Sequence, residues 1–204
     1  IVGGSSTSNF KQVGQLFAYN ESTGYSTTFC SATLIHPRWV VTAAHCVEGN
    51  QAAESMEAEG YDIYFISATD VYNDIQSGTQ TAMSLVIGME AHSGYNPNSN
   101  QINHDIAVMQ LGQGIYNIPV MPLNTQTPVT SWNDITYVGF GITSINSDDG
   151  GIRRTVDVPL NHSGNSYGWP YTVDAQYLYT WDPSGQTNIC SGDSGGAALR
   201  RMSD

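Results

Sequence analysis

The chain has 204 residues, 40% hydrophobic and 12% charged, with 6 Lys and Arg against 18 Asp and Glu for a formal net charge of −12. That apolar fraction supports a sizeable core and excludes intrinsic disorder as the main state, and no apolar run reaches the ~20 residues of a membrane-spanning helix. So acidic a surface repels polyanions, which removes nucleic acid from the partner classes.

The chain opens on Ile1-Val2-Gly3-Gly4, with neither an initiator methionine nor a basic-then-apolar targeting segment, as if something upstream had been cut away. Short β-rich runs then recur at 33–35, 39–42, 61–66, 83–89, 106–111, 135–138 and 175–179. Asn-, Gly- and Pro-rich stretches such as 93–100 and 146–151 punctuate them. Residues 51–60 read either as a turn or two of helix or as an acidic surface loop, and helical periodicity is poor elsewhere. There is no internal repeat or heptad pattern. Many short strands between turns predict an all-β barrel or sandwich. Cys30, Cys46 and Cys190 make an odd number of cysteines, which leaves one over in a secreted protein.

Four stretches carry chemistry: Ile1-Val2-Gly3-Gly4, Thr42-Ala43-Ala44-His45-Cys46, Asp105-Ile106-Ala107-Val108, and Gly192-Asp193-Ser194-Gly195-Gly196. Singly, each has an ordinary reading: a packing histidine, a strand start, a tight turn. Together, in the order His, Asp, Ser, they resemble the chymotrypsin-like (trypsin-fold) serine endopeptidases. The resemblance extends to Phe29-Cys30-Ser31-Ala32-Thr33-Leu34-Ile35, to His104-Asp105-Ile106-Ala107-Val108-Met109-Gln110-Leu111, and to Val138-Gly139-Phe140-Gly141. It is thinnest over 48–82 and 142–186.

The resemblance implies two antiparallel six-stranded Greek-key β-barrels, the first over residues 1–112 and the second over 113–204. The N-terminal residues would tuck into the second barrel, which would be incomplete in this chain. It implies catalysis by His45 as base, Asp105 as its orienting partner and Ser194 as nucleophile. The amides of Gly192 and Ser194 would form the oxyanion hole. The ammonium of Ile1 would pair with Asp193, as in an activated enzyme rather than its zymogen. Cys30 and Cys46 would form the disulfide beside the histidine, leaving Cys190 unpaired. The family continues beyond the point that corresponds to Asp204, so the resemblance predicts a missing segment. That segment would be a second chain, held noncovalently or through Cys190, or would have been removed.

Asn188, six residues before Ser194, would floor the primary pocket where trypsin-like enzymes carry an aspartate, and Ile189 would narrow it. Neutral, small to medium residues are the expected cleavage sites. The expected partners are polypeptide substrates and protein protease inhibitors, outside the cell. The alternative is a catalytically impaired homologue that acts as a binding or regulatory module. No cofactor is expected. Glu54, Glu57, Glu59 and Asp62, or Asp70 and Asp74, are calcium candidates without an ordered ligand pattern, so a solvated acidic loop is the competing reading. His36, His92, His104 and His162 lack metal-ligand spacing and read as surface or packing residues. Asn20-Glu21-Ser22 and Asn161-His162-Ser163 fit the glycosylation sequon, which counts only in a eukaryotic secretory pathway. The pairs Arg153-Arg154 and Arg200-Arg201 read as surface loop residues.

Overall fold

A computed structural model describes residues 1–99, 103–125, 134–163, 178–180 and 182–200. Its strands are β1 (Ser5–Ser6), β2 (Val13–Asn20), β3 (Tyr25–His36), β4 (Trp39–Thr42), β5 (Asp62–Ser67), β6 (Ala82–Ala91), β7 (Ala107–Leu111), β8 (Asp134–Gly139), β9 (Arg154–Ser163), β10 (Leu178–Thr180) and β11 (Ala197–Leu199). Among the described residues a 3-10 turn, Ala44–Cys46, follows β4, and two short helices, α1 (Ala53–Ala58) and α2 (Val71–Ser77), flank β5.

Six strands close into an antiparallel barrel in the order β2-β3-β4-β7-β6-β5. Strand β6 shows why: Ser84 and Val86 face inward while Met83, Leu85 and Ile87 face solvent, the period-2 pattern of a half-buried strand. Strand β2 lacks that alternation because both its faces are covered. Leu16 and Ala18 fill the barrel, and Val13 and Phe17 pack outward against Val138, Phe140 and Ala197 of the second sheet. Such a strand reads as a continuous apolar run and escapes a search for alternation.

The second sheet runs β1-β9-β8-β11, with β10 also on β9. Its strand β1 brings the chain start to β9 through Ser5 opposite Thr155 and Ser6 opposite Arg154. The architecture is mostly β, a closed six-stranded barrel and, among the described residues, a second sheet of five strands, consistent with the two-barrel fold that the resemblance implies.

Residues 51–60 hold helix α1. Helix α2 has no strong periodicity in the sequence, although its ends carry ordinary signals: Asp70 accepts from the Asn73 amide and Gly78 closes the helix at φ 68. Of the expected strand at 175–179, residues 175–177 lie outside the described residues, and β10 occupies the remainder.

Candidate active site

His45 sits in the 3-10 turn that ends β4, directly behind the buried Ala43 and Ala44. The next residue, Cys46, is disulfide-bonded to Cys30 of β3 with Cα atoms 6.2 Å apart, which ties the turn to the barrel wall. Asp105 stands two residues before β7, so the β4–β7 pairing of Thr42 with Ala107 carries the two residues together. The Asp105 carboxylate accepts from the His45 backbone amide at 2.9 Å and lies 2.8 Å from Nδ1. Burial by itself would raise this carboxyl. The His45 ring and amide bonds, with a contribution from the Ala44 amide, outweigh it and hold the group below the ordinary carboxylate value. A carboxylate so held keeps the Nδ1 proton on the ring and leaves Nε2 as the open base.

Ser194 lies in a turn made by Asp193 N–H donating to Cys190 O at 3.0 Å and Gly196 N–H to Asp193 O at 2.9 Å. Gly192 holds φ +93, and a Cβ there would stand 3.0 Å from Gly141 Cα, so only glycine fits both the angle and the space. Gly195, at φ +76, is pressed so closely on Thr42, Ser31 and Ala43 that no side chain fits. That contact seats Ser194 against the segment that presents His45.

Ser31 completes the seam. Its amide donates to the Ser194 carbonyl at 2.8 Å, its hydroxyl donates to Gly192 O at 2.8 Å and accepts from Phe140 N–H at 3.1 Å. The Cys46 sulfur lies 3.8 Å from the same Ser194 carbonyl. Among the described residues, the amides of Gly192 and Ser194 have no hydrogen-bond partner, which leaves two N–H donors on one turn. In the sequence Ser31 stands out only as a member of the Phe29–Ile35 stretch, which assigns it no role.

The Ile1 nitrogen is buried and meets three acceptors: Asp193 Oδ2 at 2.8 Å, Ile142 O at 2.9 Å and Gly141 O at 3.1 Å. Asp193 also accepts from Gly141 N–H at 2.7 Å and Cys190 N–H at 2.9 Å, so the pair is fully hydrogen-bonded. Val2 and Asn188 exchange backbone bonds of 2.8 and 3.2 Å, which brings the Asn188 segment to the chain start. Ile189 is 48% exposed, and Cys190 is a free, partly buried thiol.

The remaining candidates scatter. Glu54 and Glu57 lie on α1, Glu59 and Asp62 follow it, and Asp70 and Asp74 are taken up as acceptors around α2. Glu57 is raised by partial burial and by neighbouring Glu54 and Asp62. Among the described residues no acidic group converges into a calcium cradle. Among the described residues the one convergent set of metal-type ligands is Cys30, His45 and Cys46, whose sulfurs are already spent on the disulfide. Asn20 is buried, with its amide donating to Glu59 O and its carbonyl accepting from Ser22 and Thr23, so the folded chain does not offer it for modification. The Asn161 and His162 side chains and Arg201 fall outside the described ones. His92 and His104 stack with ring centroids 4.6 Å apart, and His36 accepts from the Arg38 amide.

The Arg153-Arg154 pair corrects the surface-loop reading. Arg153 is 1% and Arg154 7% exposed, Arg153 at the seam between the barrel and the second sheet and Arg154 beside Gly141 and Asp149 on the second-sheet side. Carbonyls, a hydroxyl and a carboxylate meet there to receive them, and a charge count cannot reveal that.

The trypsin family model matches residues 1–203. The chain is 27% identical over 179 residues to clotting factor C of Tachypleus tridentatus, covering 82% of this chain but 17% of that protein. It is 28% identical over 178 residues to brachyurin of Leptuca pugilator, covering 82% and 69%. To trypsin-1 of Astacus astacus it is 25% identical over 201 residues, covering 96% and 81%. It thus spans a small part of the first of these and most of the other two. Among the described residues no helix is long and apolar enough to cross a membrane.

Proposed function

This chain belongs to the trypsin family, and we propose that it is a secreted serine endopeptidase that cleaves peptide bonds through an acyl-enzyme. The observation that carries the reading is the bonded His45–Asp105 pair together with the Ser194 turn and its two unpartnered amides. A serine hydroxyl is a poor nucleophile without a base. In this reading His45 Nε2 takes the Ser194 Oγ proton as the oxygen attacks a peptide carbonyl. Asp105 stabilises the imidazolium, and the Gly192 and Ser194 N–H groups receive the oxyanion. The tetrahedral adduct collapses as His45 returns the proton to the leaving amine. Water then repeats the sequence on the ester and frees the acid. Each oxyanion donor is worth roughly 2.7–4 kcal/mol of barrier. The chemistry draws on side chains and backbone alone and calls on no cofactor.

With its amino group free, Ile1 would hold Asp193, and through it the turn, in the active arrangement. Asn188 and Ile189 offer a primary pocket no carboxylate, so neutral, small to medium residues are the proposed cleavage sites. The Cys30–Cys46 disulfide favours an oxidising, extracellular setting. Polypeptide substrates and protein inhibitors are the partners this chemistry selects. Among the described residues β11 is the outer edge of the second sheet. A groove of about 740 Å³ lies beside it, lined by Ile35, Ile106, Met121, Leu123, Leu199 and Asp105 among others. It is the proposed seat of a second polypeptide chain.

A fluorophosphonate should label Ser194 in the wild type and not in Ser194→Ala, alongside cleavage of Ala- or Leu-directed peptides in preference to Arg-directed ones. Absence of both labelling and cleavage would favour the impaired, binding-only homologue. A strong Arg preference would overturn the pocket assignment alone.

A further inference from the structure

The socket that receives the Ile1 ammonium has a second cation in its wall. Arg154 opens β9, and its Nη1 donates to the Gly141 carbonyl at 3.1 Å, the same oxygen that accepts from the Ile1 nitrogen at 3.1 Å. Nη1 also reaches the Asp149 carbonyl at 2.9 Å, and Nη2 reaches Asp149 Oδ2 at 3.0 Å. Asp149 in turn accepts from the Thr143 amide at 2.9 Å and its hydroxyl at 2.8 Å. Residues 141–143 are thus gripped from both sides, by Ile1 and Asp193 on one and by Arg154 and Asp149 on the other.

The charges alternate along this chain of contacts: Asp149 carboxylate, Arg154 guanidinium, Gly141 carbonyl, Ile1 ammonium, Asp193 carboxylate. Two cations on one buried carbonyl repel, and the carboxylates at the two ends offset that repulsion. Asp149 is a strong acceptor here. Its partial desolvation is outweighed by the Thr143 and Ser147 bonds and by Arg154, which hold it at about 2.

We infer that Arg154 and Asp149 are positioning residues: they set the Gly141 and Ile142 carbonyls where they capture the Ile1 ammonium, and so hold Asp193 and the Gly192–Ser194 amides in working order. The catalytic side of this inference rests on the endopeptidase reading; the capture of Ile1 rests on geometry alone. The neighbouring Arg153 is the internal contrast. Its guanidinium donates to Val13 O, Asn9 O and Ser67 Oγ and lies 5.4 Å over the Phe140 ring, so it joins barrel to sheet without touching the socket.

The test compares Arg154→Gln, Asp149→Asn and Arg154→Lys with Arg153→Met in the chain bearing a free Ile1. Three quantities are read: the native-state acylation rate of the Ile1 amine, kcat and KM, and the thermal midpoint. Lys11, the sole lysine and exposed, is the internal reference amine. Arg154→Gln and Asp149→Asn should acylate Ile1 about tenfold faster relative to Lys11 and lower kcat by a similar factor, the worth of one charge-assisted hydrogen bond. Arg154→Lys should fall between them and wild type. Arg153→Met should lower the thermal midpoint and leave Ile1 acylation and kcat unchanged. Wild-type acylation in Arg154→Gln and Asp149→Asn, or equal acceleration in Arg153→Met, overturns the inference. If Arg154→Gln fails to fold, Asp149→Asn decides, since that side chain is 35% exposed and the change is isosteric. A wild type inert to peptides and fluorophosphonate overturns the endopeptidase reading, while the Ile1-to-Lys11 ratio still decides the socket.

Discussion

In the closed barrel Leu16, Leu34, Ile63, Phe65 and Met109 meet without solvent exposure, and apolar burial does the holding. Around Ser194 the holding groups are the Ile1 ammonium, the Asp193 carboxylate, the Ser31 hydroxyl and the Arg154 guanidinium. Dispersion and hydrophobic burial are non-directional, so a lost methylene is absorbed by partial relaxation. A buried ion pair has no such tolerance, because removal of one partner strands the other. The barrel is therefore a scaffold whose damage lowers stability, and the Ser194 region is a device whose damage changes what the folded molecule does.

Ser194→Ala separates the two most sharply. It should reduce kcat by roughly 10⁶-fold and leave the thermal midpoint in place. A midpoint that falls with activity would break the division. Asp193→Asn and Phe65→Ala should each cost about 3–5 kcal/mol in denaturant titrations. Only Asp193→Asn should also lower the fraction of folded molecules that react with a fluorophosphonate. Equal reactivity per folded molecule in both would show that the ion pair is merely another piece of scaffold. Replacing Cys30 and Cys46 together by serine should cost about 3 kcal/mol, the chain-entropy value for a loop of this size, and should free the turn that carries His45. Hydrogen exchange at 43–47 reads that release.

The smallest effect is the response to acid. Asp105 and Asp149 are both held below the ordinary carboxylate value. Each contributes stability above its unfolded-state value, near ~3.9 for a carboxylate, and loses it as pH falls through its depressed folded value. The contribution of these two carboxylates to the unfolding free energy should be constant from neutral pH to about 5 and decline progressively below that. Asp149→Asn should flatten part of the decline, and an unchanged slope would remove Asp149 from the account.

The family and the all-β class were legible in the sequence because motifs and strand punctuation are local properties of the chain, and the Cys30–Cys46 bridge followed from the family resemblance. His45 and Asp105 could be named there too, and the fold brings them to 2.8 Å because β4 and β7 are neighbours in the barrel, although they are distant in the chain. Strand β2 was not legible because its two covered faces erase the alternation. Strand β9 was hidden for another reason: it opens on a charged residue and carries a proline at 159.

The sequence by itself determined which groups are available: an imidazole, a carboxylate, a hydroxyl beside flexible glycines, and two arginines of unstated purpose. Only the tertiary structure decided which charges are buried and what they face. Arg153 and Arg154 are adjacent and chemically identical, yet one spans the seam to the barrel and the other lines the Ile1 socket. Successive side chains of an extended backbone point to opposite sides, and what waits on each side comes from chain segments far away in sequence.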